Sequence, residues 1–173
     1  MHEEVRRQGP GARVVIGVHG PSVSGPANRY VKALKSVFDE KPRRALAKLA
    51  LSYDPQCIEA HVALGQLAPT VEARLVHMTA AVAAGDAIWR PVAARYGDRM
   101  NWFGFEGVRP YREAIHELGD AHGELGDRQA ARWCYLRLLR MNPVEDKDVL
   151  LVNWLLSLPR ATVPERRSVS SFG

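Results

Sequence analysis

The sequence predicts an all-α protein, a helical-hairpin repeat solenoid of about three helix pairs plus a terminal apolar helix, and three observations lead to this class. Apolar residues recur at three- and four-residue spacing along most of 28–158, the period of helices that bury one face. Prolines and glycines divide this stretch into segments of helix length. The joints recur, with Asp54-Pro55 after one predicted pair and Asn142-Pro143 after another. Recurring helix-turn-helix units are typical of a solenoid.

The composition is that of one folded, soluble domain. The chain has 173 residues, 46% apolar and 25% charged, which excludes a largely disordered protein. Its longest apolar stretch, at 149–158, is about half a membrane span, and its charged start differs from a secretory signal. We therefore expect a cytoplasmic protein with no membrane partner. Cys57 and Cys134 lie in helical apolar patterns, so we expect buried thiols and no disulfide framework, metal or other cofactor.

Residues 1–27 are predicted to form a flexible or partly ordered N-terminal arm, rich in Gly, Pro and Ser. The apolar run VVIGVH at 14–19 is its one candidate strand. The following GPSVSGPA at 20–27 has the glycine spacing of a phosphate-binding loop. It carries Pro26 and Ala27 where such a loop needs a lysine and a hydroxyl group. A nucleotide site is therefore not expected.

The first helix pair is predicted from Asn28 to Tyr53, within a helical domain that spans 28–158. Asn28 can act as an N-cap for a helix that extends to Phe38. Pro42 suits the first turn of the second helix, and Asp54-Pro55 ends it.

The second pair is predicted at 58–67 and 71–84. Gly85 follows the alanine-rich second helix directly, which is a C-cap signal. Residues 86–109 are then expected to form a connector, with at most one short helix that begins at Pro91.

The third pair is predicted at 110–124 and 128–141, with Gly126-Asp127 as the turn. A last helix at 146–158 ends before Pro159. The tail 159–173 has few apolar residues, so we expect it to be disordered.

The unit at 112–143 resembles a tetratricopeptide repeat (TPR). The matching residues stand at the spacings of that family, whose small residues let paired helices approach closely: Leu118-Gly119, Gly126, Ala131, Tyr135, Leu138 and Pro143. The unit that begins at Ile58 matches more loosely, through Leu64-Gly65 and Glu72-Ala73, with a turn shortened by a few residues. The resemblance covers 43–158.

The segment NWFGFEGVRPYREA, which begins at Asn101, is similar to an element of bacterial TPR proteins of unassigned function. A similar aromatic and Arg-Pro-Tyr element occurs in the suppressor-of-tumorigenicity family. Because the element recurs in a family without a shared ligand, we expect Trp102, Phe103 and Phe105 to pack in a joint between repeats.

The TPR resemblance also implies a binding face, since the first helix of each pair lines the concave surface in that family. The residues that it places there are Glu59, Gln66, Glu113, His116, Asp120 and Glu124. This face is acidic, whereas clamps for a terminal carboxylate need Lys, Arg and Asn donors. We therefore expect a non-catalytic scaffold or adaptor with a protein or peptide partner of basic character.

A second interface is predicted on the terminal helix, which is apolar nearly all round. Such a helix needs cover on more than one side. Leu151, Trp154 and Leu155 are therefore candidate contacts for a second copy of the chain, as a homo-oligomer, or for another protein.

Two alternatives stay open. The net charge of +5 favours nucleic-acid binding through the arms and a basic helix face. The enzyme alternative uses the Glu113, His116 and Glu117 face, where imidazole and carboxylates share helical spacing, although one helix cannot complete such a site. The residues of the basic face are Arg128, Arg132, Arg137 and Arg140.

Overall fold

The chain begins with a two-stranded hairpin. The strands β1 (His2–Arg6) and β2 (Val15–His19) pair antiparallel, with His2 opposite His19 and Arg6 opposite Val15. The strand predicted at 14–19 is therefore confirmed, and its partner β1 was not predicted. The computed structural model describes residues 2–6, 15–19, 26–96, 102 and 106–141.

Every regular element described between Pro26 and Met141 is helical, which confirms the predicted all-α class for this part of the chain. A short 3-10 helix (Glu106–Val108) leads directly into the fifth α-helix. The six α-helices are α1 (Pro26–Leu34), α2 (Glu40–Tyr53), α3 (Ile58–Gln66), α4 (Val71–Tyr96), α5 (Arg109–Glu124) and α6 (Arg128–Met141).

Proline and aspartate set the boundaries of the first pair. Helix α1 begins at Pro26, where the missing N–H and the fixed φ suit a first helical position. The prediction of Asn28 as an N-cap is therefore wrong, because Asn28 lies inside the helix. Asp39 stands in extended conformation before α2, and Pro42 lies in the first turn as predicted. Asp54 ends α2, and its N–H donates to the carbonyl of Ala50.

The fourth helix differs most from the sequence prediction. It runs unbroken for 26 residues, with Gly85 and Pro91 inside it, so the predicted C-cap at Gly85 is wrong, and the predicted connector is wrong over 86–96. Gly85 has a packing role instead, because the Tyr111 ring lies directly against it. A Cβ at this position would be 1.9 Å from Cδ2 of that ring. Gly85 is therefore needed for the close approach of α5 to α4. Without knowledge of that contact, a glycine at this position predicts a helix end.

Local signals place the third pair correctly. Pro110 stands in the first turn of α5, as predicted. The helix ends before Gly126, which has φ +80°, a conformation that favours glycine. The N–H of Ala130 then donates to the Asp127 side chain at 3.0 Å, which caps the start of α6.

Two glycines hold equivalent positions in the second and third pairs. A Cβ at Gly65 of α3 would be 2.5 Å from Cε of Met78 on α4. A Cβ at Gly119 of α5 would be 3.0 Å from both Cβ of Cys134 and Cε1 of Tyr135 on α6. In each pair the glycine of a Leu-Gly step lets its partner helix approach closely.

The helices pack in chain order. Each contacts the next, and α3 also contacts both α1 and α5. The buried apolar side chains form two clusters. One joins α1, α2 and α3, and the larger one joins α3 to α6. The larger cluster includes Val62, Met78, Trp89, Tyr111, Ile115, Leu118, Tyr135 and Leu138.

No helix in the described part of the chain combines the length and apolarity that a membrane span needs. The predicted terminal helix at 146–158 and the tail 159–173 lie outside the described residues.

Candidate functional site: the face of helices α3 and α5

Helix α5 supplies most of the predicted face. Its residues at 113, 116, 120 and 124 recur at three- and four-residue spacing, so they share one side of the helix. Helix α3 lies beside α5. We call this surface the acidic face, and its members are Gln66, Glu113, His116, Glu117, Asp120 and Glu124.

A hydrogen-bonded junction connects α3 to α5 at one end of the acidic face. Gln66 Nε2 donates to Glu113 Oε1 at 2.6 Å. Arg43 of α2 donates to Gln66 Oε1 at 3.0 Å. The amide of Gln66 therefore links an arginine to a carboxylate, and it fixes the side chain of Glu113.

The other end of the acidic face is joined to α4. The guanidinium of Arg74 lies 2.5 Å from Glu124 Oε1. Arg74 is the cation whose charge acts on both Glu117 and Asp120. One arginine thus compensates part of the negative charge on this face.

At the centre of the face, Asp120 is held by two donors. His116 Nδ1 lies 3.2 Å from Asp120 Oδ2, and the hydroxyl of Tyr135 donates to Oδ1 at 2.5 Å. Burial alone would raise the pKa of Asp120, but these hydrogen bonds lower it below its ordinary value. The bond to Asp120, with the charge of Glu117 nearby, raises the pKa of His116.

Glu117 lies between these groups and behaves differently. The pKa of its carboxyl is raised, first by burial and then by the charge of Asp120, although Arg74 and His116 act in the opposite direction. Burial and the Asp120 carboxylate together outweigh the effect of Arg74 and His116 on Glu117. A cation from outside the chain would favour the ionised form of Glu117.

Glu59 is not joined to the other predicted residues. It stands in the first turn of α3, at the opposite end of the helix from Gln66. Its carboxylate lies 3.8 Å from the Cys57 sulfur. The structure therefore assembles five of the six predicted residues by direct bonds within the face or to its neighbours, and Glu59 lies apart.

The predicted enzyme face is occupied by internal bonds. Glu113 accepts a hydrogen bond from Gln66, and His116 contacts Asp120 instead of Glu113 or Glu117. Among the described residues, no group of three or more His, Cys, Asp or Glu side chains is arranged to hold a metal ion.

A second polar network, which sequence reasoning missed, joins α4, α5 and α6. The Tyr111 hydroxyl donates to Asp86, and Arg137 contacts both of these groups. Arg90 adds an ion pair with Asp86 at 2.7 Å. Burial raises the pKa of Asp86, but the bonds from Arg137 and Tyr111 outweigh it, so the pKa is lowered. The tyrosine of the Arg-Pro-Tyr segment is therefore a packing and bonding residue.

This network changes the nucleic-acid alternative. Arg137 was predicted on a basic face of α6, yet its guanidinium is bonded to Asp86 and lies over the Tyr111 ring, 5.2 Å from the ring centroid. It is therefore not available to a phosphate group without loss of those bonds. Arg128, Arg132 and Arg140 of the predicted face are exposed.

Trp102 packs as predicted. It is partly buried against the larger core cluster and meets Trp89 edge to face, with 6.4 Å between the ring centroids. Phe103 and Phe105 lie outside the described residues, as do Leu151, Trp154 and Leu155 of the predicted second interface. That interface stays a prediction.

Both thiols are buried or partly buried. Burial raises the pKa of Cys57 to about 12 and that of Cys134 to about 11. Neither sulfur is thus a thiolate near neutral pH, which agrees with a packing role.

Comparisons of the chain with models of protein families, with curated proteins and with solved structures found no match. The function proposed for the acidic face therefore depends on its geometry and chemistry.

Proposed function

We propose that this chain is a non-catalytic, TPR-like helical scaffold that binds a basic segment of another protein on the acidic face. The observation that carries the proposal is the carboxyl of Glu117. It is half-buried beside Asp120, and its pKa is raised, first by burial and then by the charge of Asp120. A lysine or arginine from a partner would favour the ionised form of Glu117, and a charge-assisted hydrogen bond of this kind is among the stronger polar contacts.

The arrangement of the helices supports a repeat scaffold. Helix α3 contacts α1 and α5 in addition to its neighbours in the chain, as expected of first helices in a row of stacked hairpins. Gly65 and Gly119 serve the same packing role in consecutive pairs. A row of first helices presents one continuous surface, which suits an extended peptide.

The bonds within the acidic face support binding over catalysis. Asp120 is fixed by His116 and Tyr135, and Glu113 is fixed by Gln66. Carboxylates held in this way lose little side-chain entropy when a cation arrives, and such preorganisation favours affinity.

The test is a titration of the full chain with two synthetic peptides of equal length, one rich in arginine and lysine and the other rich in aspartate and glutamate. We expect only the basic peptide to bind. The double variant Glu113→Gln/Glu117→Gln keeps the side-chain shapes and removes two charges. It should weaken binding by roughly tenfold or more, which corresponds to about 1.4 kcal/mol.

The matched control is Glu40→Gln/Glu72→Gln, which removes the same charge from exposed positions. Glu72 precedes Arg74 by two residues on α4, about 200° around the helix, so it points away from the acidic face. The control should bind the basic peptide as the native chain does. Equal weakening by both double variants would show a long-range charge effect and would refute a specific site.

A further inference from the structure

Two histidines meet across the α3–α4 pair, outside the acidic face. His61 Nδ1 and His77 Nδ1 lie 3.4 Å apart, and the ring centroids are 5.7 Å apart with the planes at 44°. Both side chains are partly exposed. The two nitrogens therefore face each other at a position that solvent and small ions can reach.

The other nitrogen of His61 fixes its tautomer. His61 Nε2 lies 3.0 Å from the carbonyl oxygen of Pro55, and because a carbonyl only accepts, Nε2 must carry the proton. In neutral His61, Nδ1 then carries no proton, and its lone pair is directed towards His77. An imidazole that donates its far N–H to a backbone carbonyl is the usual arrangement of a metal-ligating histidine.

The separation of the two nitrogens also matches a metal site. Two imidazole nitrogens on one tetrahedral Zn²⁺ ion, each at about 2.0–2.1 Å, are about 3.3–3.4 Å apart. We propose that His61 and His77 form a two-histidine site that binds a divalent transition-metal ion, such as Zn²⁺, between their Nδ1 atoms, with water as the remaining ligands.

The chemistry of the pair selects the ion. Imidazole suits Zn²⁺, Ni²⁺ and Cu²⁺, whereas Mg²⁺ and Ca²⁺ prefer oxygen ligands. Two protein ligands bind more weakly than the three or four of catalytic and structural zinc sites. The ion is therefore exchangeable, and it replaces the hydrogen bond between the two rings with a link through the metal.

The charge of Arg44 opposes a cation at the pair, but an ion pair with Glu40 partly compensates that charge. Arg44 is the cation that acts on His77, and its guanidinium is paired with the Glu40 carboxylate at 2.7 Å. Burial, with lesser effects from His61 and Arg44, lowers the pKa of His77.

The binding step balances without a redox change. In the empty site, His77 Nδ1 carries the proton and donates it to His61 Nδ1. When the ion binds, water moves that proton to His77 Nε2, both Nδ1 atoms become ligands, and the aqua ion loses two waters.

The experiment is a titration of the full chain with zinc chloride, followed by calorimetry and by the ring ¹⁵N signals of the histidines. All variants carry His2→Gln and His19→Gln, because these cross-strand partners of the hairpin offer two other imidazoles. We expect one Zn²⁺ per chain, with the Nδ1 signals of His61 and His77 shifted. Loss of a group that merely hydrogen-bonds to a metal ligand typically lowers metal affinity by roughly tenfold or more. Loss of a ligand itself, in His61→Gln or His77→Gln, should therefore lower zinc affinity by at least that factor.

His122→Gln is the matched control, since this residue is a partly exposed histidine of α5 that is not a member of the acidic face, and it should leave zinc affinity unchanged. Thermal melts check that each variant folds, and His61→Gln serves if His77→Gln does not fold. Zinc binding that is absent in this background, or that survives both single substitutions unchanged, would overturn the proposal.

Discussion

Substitution of Gly85 by alanine tests the packing of α5 on α4. If helix propensity alone mattered at this position, alanine would raise the free energy of unfolding by about 1 kcal/mol, because glycine is the poorer helix former. In the structure, the new Cβ would lie 1.9, 2.4 and 2.7 Å from three atoms of the Tyr111 ring. We therefore expect Gly85→Ala to destabilise the protein.

The magnitude follows from the distances. An ordinary carbon–carbon contact is about 3.5 Å, so the ring would have to move by roughly 1.6 Å. Tyr111 is only 1% exposed, and overpacking of such a site typically costs ~1–3 kcal/mol. Movement of the ring also weakens the bond from its hydroxyl to Asp86, at about 1 kcal/mol. After the gain in helix propensity of about 1 kcal/mol, the net loss is about 1–3 kcal/mol.

Chemical denaturation of Gly85→Ala and of a control, Gly123→Ala, measures this effect. A Cβ at Gly123 of α5 would meet nothing within 4 Å, so the control should be unchanged or stabilised by up to ~1 kcal/mol. In a Tyr111→Leu background, Gly85→Ala should cost less, because the planar ring is gone. A loss of the same size in both backgrounds, or no loss at all, would refute the reasoning.

Three further predictions concern individual side chains. Arg137→Met removes a bond from the half-buried Asp86 and should lower the free energy of unfolding by ~1–3 kcal/mol, whereas the exposed Arg140→Met should change it little; equal effects would contradict the network. Asp120 raises the pKa of His116, so this group stabilises the fold below its unfolded pKa and the contribution is lost as pH rises through the folded value. The stability difference between the native chain and His116→Gln should therefore narrow from about pH 6 to about pH 8, and a difference that widens would show the wrong sign. Trp102→Ala should lower the melting temperature and leave the affinity of the folded chain for the basic peptide nearly unchanged, because Trp102 packs on Trp89. A variant that is as stable as the native chain but no longer binds the peptide would show that Trp102 contacts the ligand instead.

Local signals in the sequence predicted much of the helical pattern. Asp54-Pro55 marked the end of α2, and Gly126 marked the turn before α6, where its φ is +80°. Pro110 marked the start of α5. These residues act through their own backbone conformation, so their effect can be read without the fold.

Contacts between distant residues explain the errors. Gly85 has the sequence signature of a C-cap, but the helix continues through it. A glycine stands there because the Tyr111 ring leaves no room for a Cβ atom. Pro91 has no N–H to bond, yet the buried residues around it, Trp89 and Val92, hold its segment in the core. Tertiary packing has overridden local propensity at both positions.

Of the candidate site, the sequence predicted the part that lies on one helix and missed the contacts between helices. The spacing along α5 placed its carboxylates on one face, since that depends on a single helix. The bond between Asp86 and Arg137 spans 51 residues, and that between His61 and His77 spans 16. Neither separation follows helical spacing on one element, so only the packing of two helices brings these side chains together.

The most direct test of the proposed function is a map of the amide shifts that a basic peptide produces in the full chain. We predict that the shifted amides cluster on α3 and α5, around Gln66, Glu113 and Glu117, and that Glu113→Gln/Glu117→Gln reduces the shifts while Glu40→Gln/Glu72→Gln does not. Shifts that cluster on the exposed side of α6 instead, or a chain that no basic peptide perturbs, would contradict the account.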